Sequence, residues 1–443
     1  MAEVERLNRD ILLKEIELER YAINFRKKNN VQGRWRGWRY FLSQEANVAS
    51  TAGGLTFQAV ERARIIKTPN DLLFVKGKFD HVPRFPIRAK LEAGLYPQLS
   101  AQCIGATGSA LELAINMFHE HQARKQGYAP KAGIARVLAI KSELNDLFAA
   151  RKKAVIEAGL NGEELIAANE EEKVLRDLTD MGLREYCDFH YTARRFQAFQ
   201  DSLYCFDIAK NMTGVAGNII ALYAFHRRKP HYAGPSGVLV FISGFLLSVG
   251  PIASRGIGKW VGYRQNKQLS AILTGTERKT IECLEKDTSV LNALLAKKEV
   301  LGERCSAQTA AMLSGYERQS HLKKSQLTLA TREIRNGTRA ATENVTSATI
   351  VGGTKMSLGI AGMIGGYKFA RFNHKANSIL QAGTLSYMIG SYYGVGENIR
   401  LRVVDEMNRR RLGKIRQLPM QVLGDRLKAL DDMEVSLKAC DKH

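Results

Sequence analysis

Three pairs of long, weakly polar stretches, each pair closed by a turn and set between charged helical segments, constrain this chain more than any other feature. The second member of each pair runs about twenty residues without Asp, Glu, Lys or Arg, the length a helix needs to cross bilayer hydrocarbon. These runs are Ala93 to Leu111, Pro230 to Ser254 and Ala376 to Gly396. The first members are Ala46 to Val60, Asn211 to His226 and Asn344 to Phe369, the last interrupted by Lys355 and Lys368. A run of about fifteen residues standing alone reads as a buried core helix. Its pairing with a longer run across a turn points instead to a hairpin in lipid. The expected fold is all-α, with three membrane-embedded helical hairpins, up to six transmembrane segments, joined to long amphipathic helices of coiled-coil character.

The pairs also read as copies of one unit. Asn47-Val48, Asn211-Met212-Thr213 and Asn344-Val345-Thr346 open the first members, and glycine follows at Gly53-Gly54, Gly217 and Gly352-Gly353. A period of roughly 140 to 160 residues far exceeds that of solenoid repeats. It divides the chain into three helix-hairpin-helix units, residues 1–158, 159–297 and 298–443. Gly127-Tyr128-Ala129-Pro130, Gly159-Leu160-Asn161-Gly162 and Pro419 are the strong breaks. Residues 61–97, with Pro69, Pro83, Pro86 and Pro97, read as a long irregular basic connection inside the first hairpin.

Charge narrows the partners. The 443 residues carry 66 Lys and Arg against 44 Asp and Glu, a net charge of +22, which favours anionic lipid headgroups or nucleic acid. Many cations flank the apolar runs, where headgroups would meet them: Arg34, Arg36, Arg39, Arg227, Arg228, Lys229, Arg255, Lys259, Lys368, Arg371 and Lys375. Trp35, Trp38 and Trp260, with Tyr40, Tyr223, Tyr232, Tyr263, Tyr387, Tyr392 and Tyr393, fall near run ends as interfacial aromatics do. The expected partners are a membrane containing anionic lipid and other copies or proteins in a larger assembly. Nucleic acid is disfavoured, because no recognised binding module accompanies the charge.

Helices in lipid associate by close backbone approach, so small residues four apart mark packing faces. Gly244 with Ser248, Gly258 with Gly262, Gly362 with Gly366 and Gly390 with Gly394 have that spacing. The polar segments carry apolar seams of alternating three and four spacing. One runs Val4, Leu7, Ile11, Lys14, Leu18, Tyr21 and Phe25; others run Val137, Ile140, Leu144 and Leu147, then Ile281, Leu284, Thr288, Leu291 and Leu295, then Leu423, Leu427, Leu430, Met433 and Leu437. Each seam needs a partner, either another seam of the same chain or a second copy.

No catalytic, cofactor or metal constellation is expected. The six cysteines, at 103, 187, 205, 283, 305 and 440, form no CxxC pair and read as inert thiols. His119 and His121 point apart on a helix, so a wet interfacial pair is expected rather than a metal site. Gly258-Lys259-Trp260 lacks the hydroxyl residue that a phosphate loop requires after lysine. Lys355, Glu112 and Glu397 sit close enough to run ends for their charges to reach water by snorkelling. The function expected from this set is a non-enzymatic membrane scaffold whose basic helical bundle contacts anionic lipid and protein partners. The alternatives are a channel or pore component and a soluble helical bundle that binds nucleic acid. In the multi-pass topology, both termini and the bundle share the cytoplasmic side, where Cys187, Cys205, Cys283, Cys305 and Cys440 would all react with a thiol reagent.

Overall fold

A computed structural model describes residues 2–29, 34–67, 85–227, 229–277, 280–300, 307–369 and 374–439. These residues are all-α, with no strand. The helices are α1 (Ala2–Asn29), α2 (Arg34–Lys67), α3 (Phe85–Lys125), α4 (Pro130–Glu157), α5 (Glu163–His226), α6 (Ala233–Leu273), α7 (Ile281–Val300), α8 (Ala307–Met363), α9 (His374–Lys414) and α10 (Pro419–Ala439). Local chemistry explains the breaks. Pro130 occupies the first turn of α4, where its missing N–H leaves no bond unmade. Gly127, Gly159 and Gly162 adopt positive φ in the connections on either side of α4, a region closed to most side chains.

The helices form two regions. In the first, α2 and α3, α5 and α6, and α8 and α9 are antiparallel pairs, and the pairs join in chain order through α3 against α5, α6 against α8, and α9 against α2. The six helices therefore close into a ring. In the second, α1 lies at the centre of a bundle made with α4, α7, α10 and the amino-terminal halves of α5 and α8. Both long helices run uninterrupted from bundle to ring, α5 over 64 residues and α8 over 57. The seams at Val137, Leu284 and Leu430 meet in one core with Ile11, Leu178 and Tyr186, so the stripes of this chain bury one another. All three expected units contribute to that core.

Several expectations change. The single seam on α1 understates its burial, because Leu12, Ile16 and Ile23 on other faces are also enclosed. Lys14, which interrupts the seam, stays half-exposed beside Glu143 and Glu17. The connection expected at 61–97 is largely helical where it is described, since α2 continues to Lys67 and α3 begins at Phe85. Pro86 falls in the first turn of α3, where proline is tolerated, and Pro97 lies inside the helix; Pro69 and Pro83 lie outside the described residues. Among the described residues, of the six stretches expected to span only the one in α6 belongs to a helix long and apolar enough by length and composition to cross a membrane, with a window of mean hydropathy 2.0.

Candidate functional site

Along α6 the usual arrangement of a water-soluble helix is reversed. Its buried residues in the ring are Gly234, Ser236, Gly237, Ser243, Gly244, Ser248 and Gly250, while Ile242, Phe245 and Ile252 are exposed. The same reversal recurs around the ring. Asn47, Thr51 and Gln58 of α2, Gln98 and Gln102 of α3, Asn211 and Asn218 of α5, and Asn377 and Thr384 of α9 are buried. Phe57, Ile104, Met212, Ile219, Ile360 and Ile389 of the same ring helices face outward.

The small residues set this geometry by letting backbones approach. A Cβ added at Gly237 would lie 2.5 Å from the Met363 amide nitrogen and 2.7 Å from the Gly359 carbonyl oxygen, and one at Gly362 would lie 2.9 Å from the Gly237 Cα. Gly244 stands against Gly352 and Met356, Gly352 against Ser248, Gly366 against Gly234, and Gly390 against Thr354. Gly394 adjoins Val351 more loosely. Gly258 and Gly262 lie below the ring, where α6 meets Phe199 and Tyr191 of α5.

Polar contacts tie the interior across helices. Asn47 donates through Nδ2 to Asn211 Oδ1 at 3.1 Å, and Arg62 donates to Asn377 Oδ1 at 3.2 Å. Lys355 of α8 donates to Ser243 Oγ at 2.6 Å, and that hydroxyl donates to the Lys210 carbonyl at 2.6 Å. The Lys355 ammonium also lies 5.8 Å from the ring centroid of Tyr387 on α9. Ser243 of α6 and Tyr387 of α9 thus face this cation, which is 4% exposed. The snorkelling expected for Lys355 is not what forms. Glu112 is likewise enclosed, at 0% exposure, and pairs with Arg39. Glu397 does stay near the edge, paired with Arg400 at 2.6 Å. Leu55 of α2, Val351 of α8 and Tyr387 of α9 pack together as a small buried apolar cluster.

The aromatic and basic residues mark the ring's two ends. Tyr223, Tyr232 and Tyr367 lie at the turns, with Arg227, Lys229, Lys368 and Lys375 exposed there. Trp35, Trp38, Trp260 and Tyr263 lie at the bundle end, with Arg255 and Lys259. Between Tyr232 and Trp260, α6 rises about 42 Å at 1.5 Å per residue, close to the thickness of a bilayer with its headgroups, about 40–45 Å. Two expected belt residues belong inside instead: Tyr40 bonds Asp207, and Tyr387 faces Lys355. Arg228, Arg371 and the side chains of Arg34 and Arg36 lie outside the described residues.

A second polar centre, unforeseen in the sequence, lies in the bundle. Glu15 and Glu19 of α1, Glu185 of α5, Lys323 of α8 and Arg426 of α10 are all buried. Lys323 contacts Glu15 at 3.1 Å and also Glu19; Arg426 reaches Glu19 at 3.0 Å and Glu185 at 2.8 Å. Three carboxyls face two cations. Burial and the neighbouring Glu19 push Glu15 well above the usual carboxyl range, whereas Arg426 and Lys323 overcome burial to hold Glu19 down at about 2. Nearby, His190 is buried against Phe25, with ring centroids 5.2 Å apart, and desolvation lowers its pKa to about 4.

Among the described residues no group of His, Cys, Asp and Glu could hold a metal ion, and His119 and His121 are both exposed. Cys187 is buried in the bundle core, so the expectation that it labels readily is corrected; Cys103, Cys205 and Cys283 are exposed. Cys305 and Cys440 lie outside the described residues. No family model matches this chain, and no curated protein or solved structure matches it.

Proposed function

We propose that this chain is an integral membrane protein in which the six ring segments lie in the bilayer and enclose a polar path for a small solute. The bundle stands on one side, at the cytoplasmic face. One observation carries the reading: glycine, serine and amides of the ring are buried while Phe57, Ile104, Ile219, Ile242, Phe245 and Ile389 are exposed. In water that distribution exposes apolar surface without return, whereas lipid solvates it and leaves the ring to associate by close packing and internal hydrogen bonds. The buried ammonium of Lys355 supports passage over a purely structural role, because an ionisable group inside a membrane bundle is expensive and marks substrate or ion pathways. The outward belt is hard to reconcile with a soluble nucleic-acid binder, and the basic residues at both ring ends suit anionic headgroups.

A static membrane scaffold, alone or as an oligomer, is the competing reading, and the buried apolar cluster of Leu55, Val351 and Tyr387 favours it. Alkaline carbonate extraction tests the common premise: the protein is expected to stay in the membrane pellet, and release into the supernatant defeats both readings. Solute flux through liposomes carrying the purified chain separates them, since a scaffold passes nothing above the protein-free background. An impermeant thiol reagent applied to intact cells and to inverted vesicles fixes sidedness through exposed Cys283 of the bundle, which should react only when the cytoplasmic face is accessible.

A further inference from the structure

Below the ring, the outer face of α6 carries charge without counter-charge. Between Asp207 and Glu277 the chain has no acidic residue and eight Lys and Arg. Gly258 and Gly262 turn one side of this helix to α5: a Cβ at Gly258 would lie 3.0 Å from the Arg195 carbonyl oxygen, and one at Gly262 would lie 2.9 Å from the Tyr191 ring. Leu269 and Ile272 continue that side into the bundle core. The opposite side presents Lys259, Trp260, Tyr263, Arg264 and Lys267 at helical spacing, all exposed, and Arg195 of α5 is exposed one helix over. The helices that leave the ring at the same end, α3 and α9, carry carboxylates among their cations. On α9, Arg400 pairs with Glu397, Arg402 with Asp405 and Arg410 with Glu406; on α3, Glu120 pairs with Arg124 and with Arg194 of α5. Lys259, Arg264, Lys267 and Arg195 have no carboxylate within ion-pair distance among the described residues.

Cations interleaved with exposed aromatic rings suit a bilayer surface, where the rings sit at headgroup depth and the cations meet anionic lipid. The stripe starts at Trp260, which closes the lipid-facing stretch of α6, and runs about 10 Å toward the bundle to Lys267. Its cations therefore stay within about one screening length of the headgroups. Exposed Ile252 and Ile257, nearer the ring, make this face continuous with the apolar belt, which favours lipid over a soluble acidic protein as its occupant. We propose that this face of α5 and α6 binds the headgroups of acidic phospholipids in the bundle-side leaflet, with Lys259, Arg264, Lys267 and Arg195 as the donors. The assignment rests on the membrane-ring reading and gives it a lipid-specific site on one side of the bilayer.

Trp260 can report on its own site, since Trp35→Phe and Trp38→Phe leave it the one tryptophan of the full-length chain. That protein is reconstituted into liposomes, and its fluorescence is titrated with phosphatidylserine or phosphatidylcholine bearing the same spin label. Phosphatidylserine is expected to quench as if enriched about fivefold over its share of the bilayer, the gain that one Lys or Arg near an acidic surface supplies. Lys259→Gln, Arg264→Gln and Lys267→Gln together should bring its curve down to that of phosphatidylcholine. Arg409→Gln, Arg410→Gln and Arg411→Gln on α9 remove as much charge elsewhere and should leave the preference in place. Equal quenching by the two lipids overturns the assignment and leaves the face to water or a soluble acidic partner. A preference that survives the α6 substitutions, or that the α9 substitutions abolish equally, overturns it as well. Should the α6 variant not fold, about 1 M sodium chloride replaces it, because the screening length then shrinks to about 3 Å. The preference should vanish there, and its persistence overturns the assignment. Absence of quenching by either lipid defeats the membrane reading and the assignment together; quenching without preference defeats the assignment alone.

Discussion

Exchanging a single hydrogen for a methyl group at two glycines should have opposite effects. At Gly237 a Cβ would fall 2.5 Å from the Met363 nitrogen, 2.7 Å from the Gly359 oxygen and 2.7 Å from the Gly362 carbonyl carbon, all backbone atoms of α8. None of these can rotate away, so α6 and α8 must separate by roughly 1 Å to restore contact near 3.5 Å. Overpacking of this kind costs about 1–3 kcal/mol, and three simultaneous backbone contacts place Gly237→Ala at the upper end. Replacing glycine by alanine inside a helix returns about 1 kcal/mol, leaving a net loss of about 2 kcal/mol. At Gly353, in the same α8, an added Cβ meets nothing within 4 Å, so Gly353→Ala should gain about 0.5–1 kcal/mol. Thermal melts of the detergent-purified variants, followed by tryptophan fluorescence and by retention of the monodisperse peak, measure the difference. Gly237→Ala as stable as Gly353→Ala would refute the reasoning, because the close approach of α6 and α8 could not then exist.

Two further predictions concern the bundle. Arg426→Met leaves Glu19 and Glu185 facing each other with only Lys323 nearby, and should lower stability by about 3–5 kcal/mol in denaturant unfolding; adding Glu185→Gln should recover part of that loss. His190 titrates near 4 in the fold, against about 6.5 when unfolded. A depressed pKa gives stability that is complete above pH 6.5 and drains away as the pH falls toward 4, in total about 3 kcal/mol. His190→Phe, which keeps the stack on Phe25, should flatten the pH dependence of stability in that window; an unchanged slope would remove His190 as its source.

How much of this was legible in the sequence depends on what sequence can encode. Apolar runs give helix length and pairing, and glycine spacing gives candidate contact faces, because both are properties of a single helix. Facing is not. Lys355 and Glu112 lie near the ends of their apolar runs, which suggests reach to water; their inward direction comes only from the angle each helix takes in the ring. Tyr40 and Tyr387 carry the composition of an interfacial belt, yet the neighbouring helix places Asp207 and Lys355 beside them. Closure of the ring rests on contacts such as Asn47 with Asn211 and Arg62 with Asn377, which join residues more than a hundred positions apart. The bundle's charge cluster escaped notice for the same reason, since Glu15, Glu19, Glu185, Lys323 and Arg426 sit on four helices. One signal was available: Glu15 and Glu19 are four apart beside the α1 seam, and like charges at that spacing require an external cation.

The uninterrupted course of α8 ties these two polar centres to one another. Lys323 in the bundle and Lys355 in the ring stand on one rod, about 48 Å apart at 1.5 Å per residue. A rod of that kind works as a drive shaft: any twist that swings Lys355 toward or away from the ring axis must also swing Lys323 against Glu15 and Glu19. A rotation of α8 at either centre is thereby carried to the other.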